Sequence, residues 1–129
     1  MTEIEGDDRM PNTNTPVAIV DAYHRAWTGG DVDRALTYLA DSVVCSAPDP
    51  EITTKAHWRE YLAGFVPMLT GAPELTRMAD GSRVALWYYP QTAVTDSTLA
   101  SELFTVEGDQ ITEIRLAFDR LGYMPAPPQ

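Results

Sequence analysis

Cysteine is nearly absent from this chain of 129 residues, and its one thiol, Cys45, excludes an intramolecular disulfide and a cysteine-based metal framework. Basic residues are scarce too: nine Lys and Arg face nineteen Asp and Glu, a formal net charge of −10. Such a chain cannot displace phosphate counterions, which argues against nucleic acid, and it is repelled by anionic membrane surfaces. Two histidines, poorly matched with carboxylates, give no metal site. No apolar run approaches the roughly 20 residues that span a bilayer. Neither a Gly-x-Ser-x-Gly nucleophile motif nor a phosphate-binding loop occurs, since Gly29-Gly30 falls between two predicted helices. Residues 1–14 are acidic and lack an apolar signal core, so a cytoplasmic protein is expected. No internal repeat is visible.

What remains is ample for one domain. With 44% hydrophobic residues the chain can bury a single core. We expect that domain over residues 15–124, between a disordered acidic tail at 1–14 and a Pro-rich tail at 125–129. Acidity leaves neutral or cationic small molecules as the favoured partners.

The patterning predicts helices first and strands after. Thr15-Pro16 is a helix start, with a capping hydroxyl and proline at the first turn. Ile19, Tyr23 and Trp27 then recur every four residues, with His24 at the edge of the stripe. Gly29-Gly30 stops this helix, and Asp31 caps a second whose Val32, Leu36 and Leu39 face inward. A short strand, Val43 to Ala47, ends at Pro48. Thr53 or Thr54 opens a third helix carrying Trp58, Tyr61, Leu62 and Phe65, and Pro67 ends it. From residue 74 the period becomes alternating, with strands over 74–79, 83–93, 98–107 and 110–119. Asp80-Gly81 and Gly108-Asp109 mark tight hairpins. Helices followed by an antiparallel meander indicate an α+β fold, with helices on one face of a curved sheet.

The order of these elements, the Gly-Gly-Asp junction, Tyr38-Leu39-Ala40-Asp41 and the ending GDQITEIRLAFD resemble the nuclear-transport-factor-like superfamily. Its small polyketide cyclase-like and ketosteroid isomerase-like branches are the most similar. The resemblance spans about residues 15 to 124 and implies a cone-shaped α+β barrel around an apolar pocket, with no cofactor. It leaves function open, because one fold hosts isomerases, cyclases, dehydratases and non-catalytic binders.

By position, the resemblance places Tyr23 where the isomerase branch carries a hydrogen-bond-donating tyrosine, and Glu102 where it carries a protonated acid. In that branch an apolar site keeps the carboxylic acid neutral, so that it can donate to a developing enolate. The base aspartate of that branch falls on Ala47, so the usual base is missing. FDRLG, Phe118 to Gly122, resembles the cyclase branch and makes Asp119 a candidate for proton transfer. Strict alternation with Ile114, Leu116 and Phe118 inward would turn Arg115 and Asp119 away, unless a bulge intervenes.

Each candidate has a structural alternative: Tyr23 as a core tyrosine, Glu102 as an interface carboxylate, and Asp119 as a turn cap. His24 reads as a surface histidine at the helix edge, and Cys45 as a small buried residue. Trp27, Trp58, Tyr61, Phe65, Trp87 and Phe104 are either core or walls of an apolar ligand cavity. Two functions follow. One is a cofactor-independent isomerase, cyclase or dehydratase acting on an apolar carbonyl-containing or polycyclic metabolite. The other is a non-catalytic apolar-ligand-binding or dimerising protein. Leu99, Leu103 and Ile111 are expected on outer faces, where a homodimer would form.

Overall fold

The computed structural model describes residues 15–123, so the expected tails lie outside the described residues. The first helix, α1, spans Pro16–Thr28, and the Thr15 hydroxyl accepts the Ala18 N–H at its start. It ends where Gly30 takes a φ of 98°, a left-handed conformation open to glycine. Asp31 then caps α2, Val32–Leu36, through the Arg34 N–H. This helix is shorter than its apolar pattern indicates. Leu39 opens strand β1, Leu39–Ser46, and is fully buried there. Parallel pairing with a distant strand captures these residues, overriding the helical period. After Thr54 as cap come α3, Lys55–Phe65, and a 3-10 turn, Val66–Met68, that contains Pro67.

Six strands follow: β2 Leu69–Gly71, β3 Glu74–Asp80, β4 Arg83–Tyr88, β5 Gln91–Thr92, β6 Ala100–Glu107 and β7 Gln110–Phe118. A single strand over 83–93 was expected. Pro90 supplies no N–H to a ladder, and the chain breaks there into β4 and β5. The main sheet runs β1-β7-β6-β4-β3, parallel only at β1-β7, and β2 and β5 form a separate ribbon. The sheet is not closed. Gly81 and Gly108 turn the two hairpins with φ of 59° and 63°.

Helices α1 and α3 cover one face of the sheet, and the core lies between. Val84, Leu86 and Tyr88 on β4 face Ala100, Phe104 and Val106 on β6, all buried. In β7 the register shifts, so that Val106 pairs with Ile111 and Thr105 with Glu113. This bulge turns both Ile111 and Ile114 inward, each at 0% exposure. Ile111 therefore belongs to the core, correcting the outer-face assignment that strict alternation gives. Among the described residues no helix is long and apolar enough to cross a membrane.

Candidate functional site

Inward alternation on β6 carries one acid into the core. Glu102 is 2% exposed, between Ala100 and Phe104 on its own strand and beside Leu86 and Leu116 on its neighbours. Tyr88 donates its hydroxyl proton to Glu102 Oε1 at 2.7 Å. Among the described residues no Lys, Arg or His pairs with this carboxyl. Burial penalises its charged form and raises its pKa to about 7, a rise that the Tyr88 hydrogen bond only partly offsets. Glu102 thus titrates where ordinary proteins work, and Tyr23, Cys45 and Tyr61 are near enough for its charge to raise their own pKa values.

Glu102 forms part of the wall of a cavity under α1 and α3. Trp27, Trp58, Tyr61, Phe65, Leu116 and Phe118, each singled out in the sequence, line it. Tyr88, Leu62, Pro90, Ala100 and Tyr123 complete the wall and were missed. The free volume is about 20 Å³ for the centre of a water-sized sphere, room for one water. Trp27 is 2% exposed and its Nε1–H has no partner among the described residues, which leaves a donor unspent on a residue of the wall.

Other expected site residues lie elsewhere. Tyr23 is fully buried, but its hydroxyl accepts the Trp58 Nε1–H at 2.7 Å, and no hydrogen bond joins it to Glu102. Burial, more than the Glu102 charge, holds its pKa well above the usual tyrosine value. Phe104 packs edge-on against Tyr23 at 5.7 Å and, like Ile114, is core behind the cavity. Trp87 faces the opposite side of the sheet, because the β4 register points Val84, Leu86 and Tyr88 inward. Asp119 is exposed and caps a 3-10 turn, Arg120–Tyr123, accepting the Leu121 N–H at 3.0 Å. No bulge restores it to the cavity.

His24 is also misplaced by the helical pattern. It is 6% exposed, edge-on to Tyr88 at 4.6 Å and to Trp27 at 5.5 Å. Its Nδ1 is buried without a partner among the described residues, and burial lowers its pKa to about 4. Tyr88 could have been found from parity alone: if Glu102 faces inward, so does Leu86 opposite it, and so does Tyr88 two residues on.

Residues 20–114 match the SnoaL-like domain. The chain belongs to the SnoaL-like family. It shares the fold of a nuclear-transport-factor-like protein from Cytophaga hutchinsonii at 16% identity and a TM-score of 0.73, over 88% and 98% of the two chains. A crystal structure from Kribbella flavida is 33% identical with a TM-score of 0.79, covering 87% of this chain and 92% of that one. A candidate polyketide cyclase from Sinorhizobium meliloti shares the fold at 16% identity and a TM-score of 0.68, over 77% and 93% of the two chains. So does a protein of ketosteroid isomerase-like fold from Catenulispora acidiphila, in complex with trimethylamine, at 18% identity, a TM-score of 0.64 and coverage of 82% and 88%. No curated protein sequence matches this chain. In this SnoaL-like protein Ala47, just after β1, is half-buried against the core.

Proposed function

We propose that this protein is a cofactor-independent acid/base enzyme of the isomerase or cyclase type, acting on a small, largely apolar carbonyl compound. One observation carries the reading: a carboxylic acid with a pKa near 7 sits in an aromatic cavity, with no cationic side chain among the lining residues. Tyr88 occupies Oε1, which leaves Oε2 to carry the acid proton. The neutral acid then donates to the carbonyl oxygen of the substrate, and this bond strengthens as negative charge develops there in a dry site. The unspent Trp27 N–H supplies a second donor. Asp119 does not line the cavity and Glu102 is already protonated, so the proton taken from carbon passes to a water that hands it on to bulk solvent.

The decisive experiment follows hydrogen–deuterium exchange at the α-carbon of small cyclic enones by proton NMR. We expect exchange that Glu102→Gln slows about a hundredfold, the usual span for losing a general acid or base. An equal rate in the variant removes Glu102 from the chemistry.

A second reading, a non-catalytic small-ligand-binding protein, is favoured by a specific feature: Glu102 is the one carboxylic acid among the lining residues, and Ala47 stands where a base would be. Ligand binding without exchange for any ketone supports that reading over the first. The trimethylamine complex of the Catenulispora protein adds small amines to the ligands worth testing. We further propose a homodimer through the outer sheet face, where Trp87 and Leu103 stand beside Ala85 and Ala117. The acidic chain and the buried thiol of Cys45 suit a cytoplasmic setting.

A further inference from the structure

One side chain, Tyr123, is shared between the walls of the inner cavity and of a second, outer groove. The groove has a volume of about 350 Å³ and is lined by Pro67, Met68, Thr70, Thr92, Ala93 and Val94. Met68 and Val94 are each 55% exposed, so it opens to solvent. Neither compartment is a good site alone. The inner one holds the acid but has space for one water, whereas the groove has the volume of a small-molecule site but no charged side chain.

Tyr123 is held by contacts of modest strength. Its hydroxyl donates to the Pro90 carbonyl at 2.8 Å, and its ring meets Phe65 and Phe118 edge-on at 5.8 and 5.3 Å. FDRLG builds the turn that delivers it. Asp119 accepts the Leu121 N–H on Oδ1 and the Gly122 N–H on its carbonyl, at 3.0 and 3.1 Å. Gly122 lies flat against Thr98: a Cβ added there would meet the Thr98 Oγ1, Cγ2 and Cβ, the last at 3.2 Å, so turning the threonine cannot clear it.

We propose that Tyr123 is a gate between the two compartments, and that with the ring swung aside they form one elongated site for a ligand with a compact carbonyl head and a flat apolar body. The head lies at Glu102, an assignment that rests on the function proposed above; the gate and the groove do not depend on it. The body lies over Pro67, Met68, Ala93 and Val94, with only the hydroxyls of Thr70 and Thr92 for polar contact. A net charge of −10 disfavours an anionic body.

The test uses prodan, a fluorescent naphthyl ketone with this outline, in stopped-flow and equilibrium titrations. Tyr123→Phe loses the bond to Pro90 and should speed association about fivefold, by raising the open population. Gly122→Ala should do likewise by displacing the turn. Ala93→Trp fills the groove and should weaken prodan about tenfold, while binding of cyclopentenone, which has no body, stays unchanged. Wild-type association rates in both folded gate variants overturn the gate. Unchanged prodan affinity in Ala93→Trp overturns the groove. If those three variants behave as expected but Glu102→Gln binds prodan normally, the gate and groove stand and the proposed role of Glu102 falls.

Discussion

Trp58 Nε1 donates to the Tyr23 hydroxyl at 2.7 Å, joining α3 to α1 at the back of the cavity. This bond uses the Tyr23 oxygen as an acceptor and fixes the tryptophan wall, and we propose that this structural role is its main one. Tyr23→Phe leaves a buried indole N–H without a partner and should cost about 1–3 kcal/mol. Chemical denaturation measures the loss. Exchange activity at saturating ketone should change far less than in Glu102→Gln, and a hundredfold loss of turnover in a stable Tyr23→Phe protein would restore the catalytic assignment.

Two buried groups make stability respond to pH in opposite directions. Glu102 has a folded pKa raised to about 7, so its contribution is full below the unfolded value of 4.5 and is lost as pH rises through 7. His24 has a folded pKa lowered to about 4, so its contribution is full above 6.5 and is lost as pH falls through 4. Asp21, Glu74 and Arg77 are the charged groups that act on His24. Between pH 4.5 and 6.5 the two slopes oppose, and the wild type should show a nearly flat stability profile. Glu102→Gln should gain stability as pH rises through this window, and His24→Phe should lose it. At pH 8, Glu102→Gln should exceed the wild type by roughly 3 kcal/mol. Urea titrations at five pH values test this; parallel profiles for all three proteins would contradict it.

Trp27 has a buried N–H without a partner among the described residues, and we propose that a ligand in the cavity accepts from it. Trp27→Phe keeps most of the ring contacts with Tyr88 and Phe65, so the fold should hold. Affinity for a ketone should fall about fivefold, the value of one neutral hydrogen bond. Calorimetric titration reads this directly, and equal affinities would show that the donor is not used.

On the outer sheet face, Trp87 pairs across to Ser101, and Leu103 to Ala85 and Arg115. Placing a charge there by Trp87→Lys should split the proposed homodimer at micromolar concentration without unfolding it, because this face is not part of the core. Light scattering distinguishes the two masses. A wild-type monomer ends the proposal.

The architecture was largely legible because its signals are local and redundant. Thr15-Pro16, Gly30, Asp31 and Thr54 each satisfy or end a helix by their own chemistry, and the glycine turns at 81 and 108 fix the hairpin registers. Trp27, Trp58, Tyr61 and Phe65 were placed by helical period, which holds inside a rigid element. Failures came where long-range pairing decides the outcome. Pro90 split one expected strand, the β7 bulge moved Ile111 into the core, and parallel pairing with β7 drew Leu39 out of a helix. Phase on β4 favoured Tyr88 over the larger Trp87. Tyr123 follows the last strand, beyond the reach of any periodicity.

The extra residue in β7 also divides labour along the strand. Before Thr112, Ile111 is keyed to Leu39 of β1 and Val106 of β6, deep in the core. After it, Ile114 resets the alternation that delivers Leu116 and Phe118 to the cavity. Substitutions downstream of the bulge can reshape the ligand space without altering the register upstream. The protein therefore has a conservative end and an adaptable end within one continuous strand, and a new ligand specificity is best sought by varying residues 116 to 123 together.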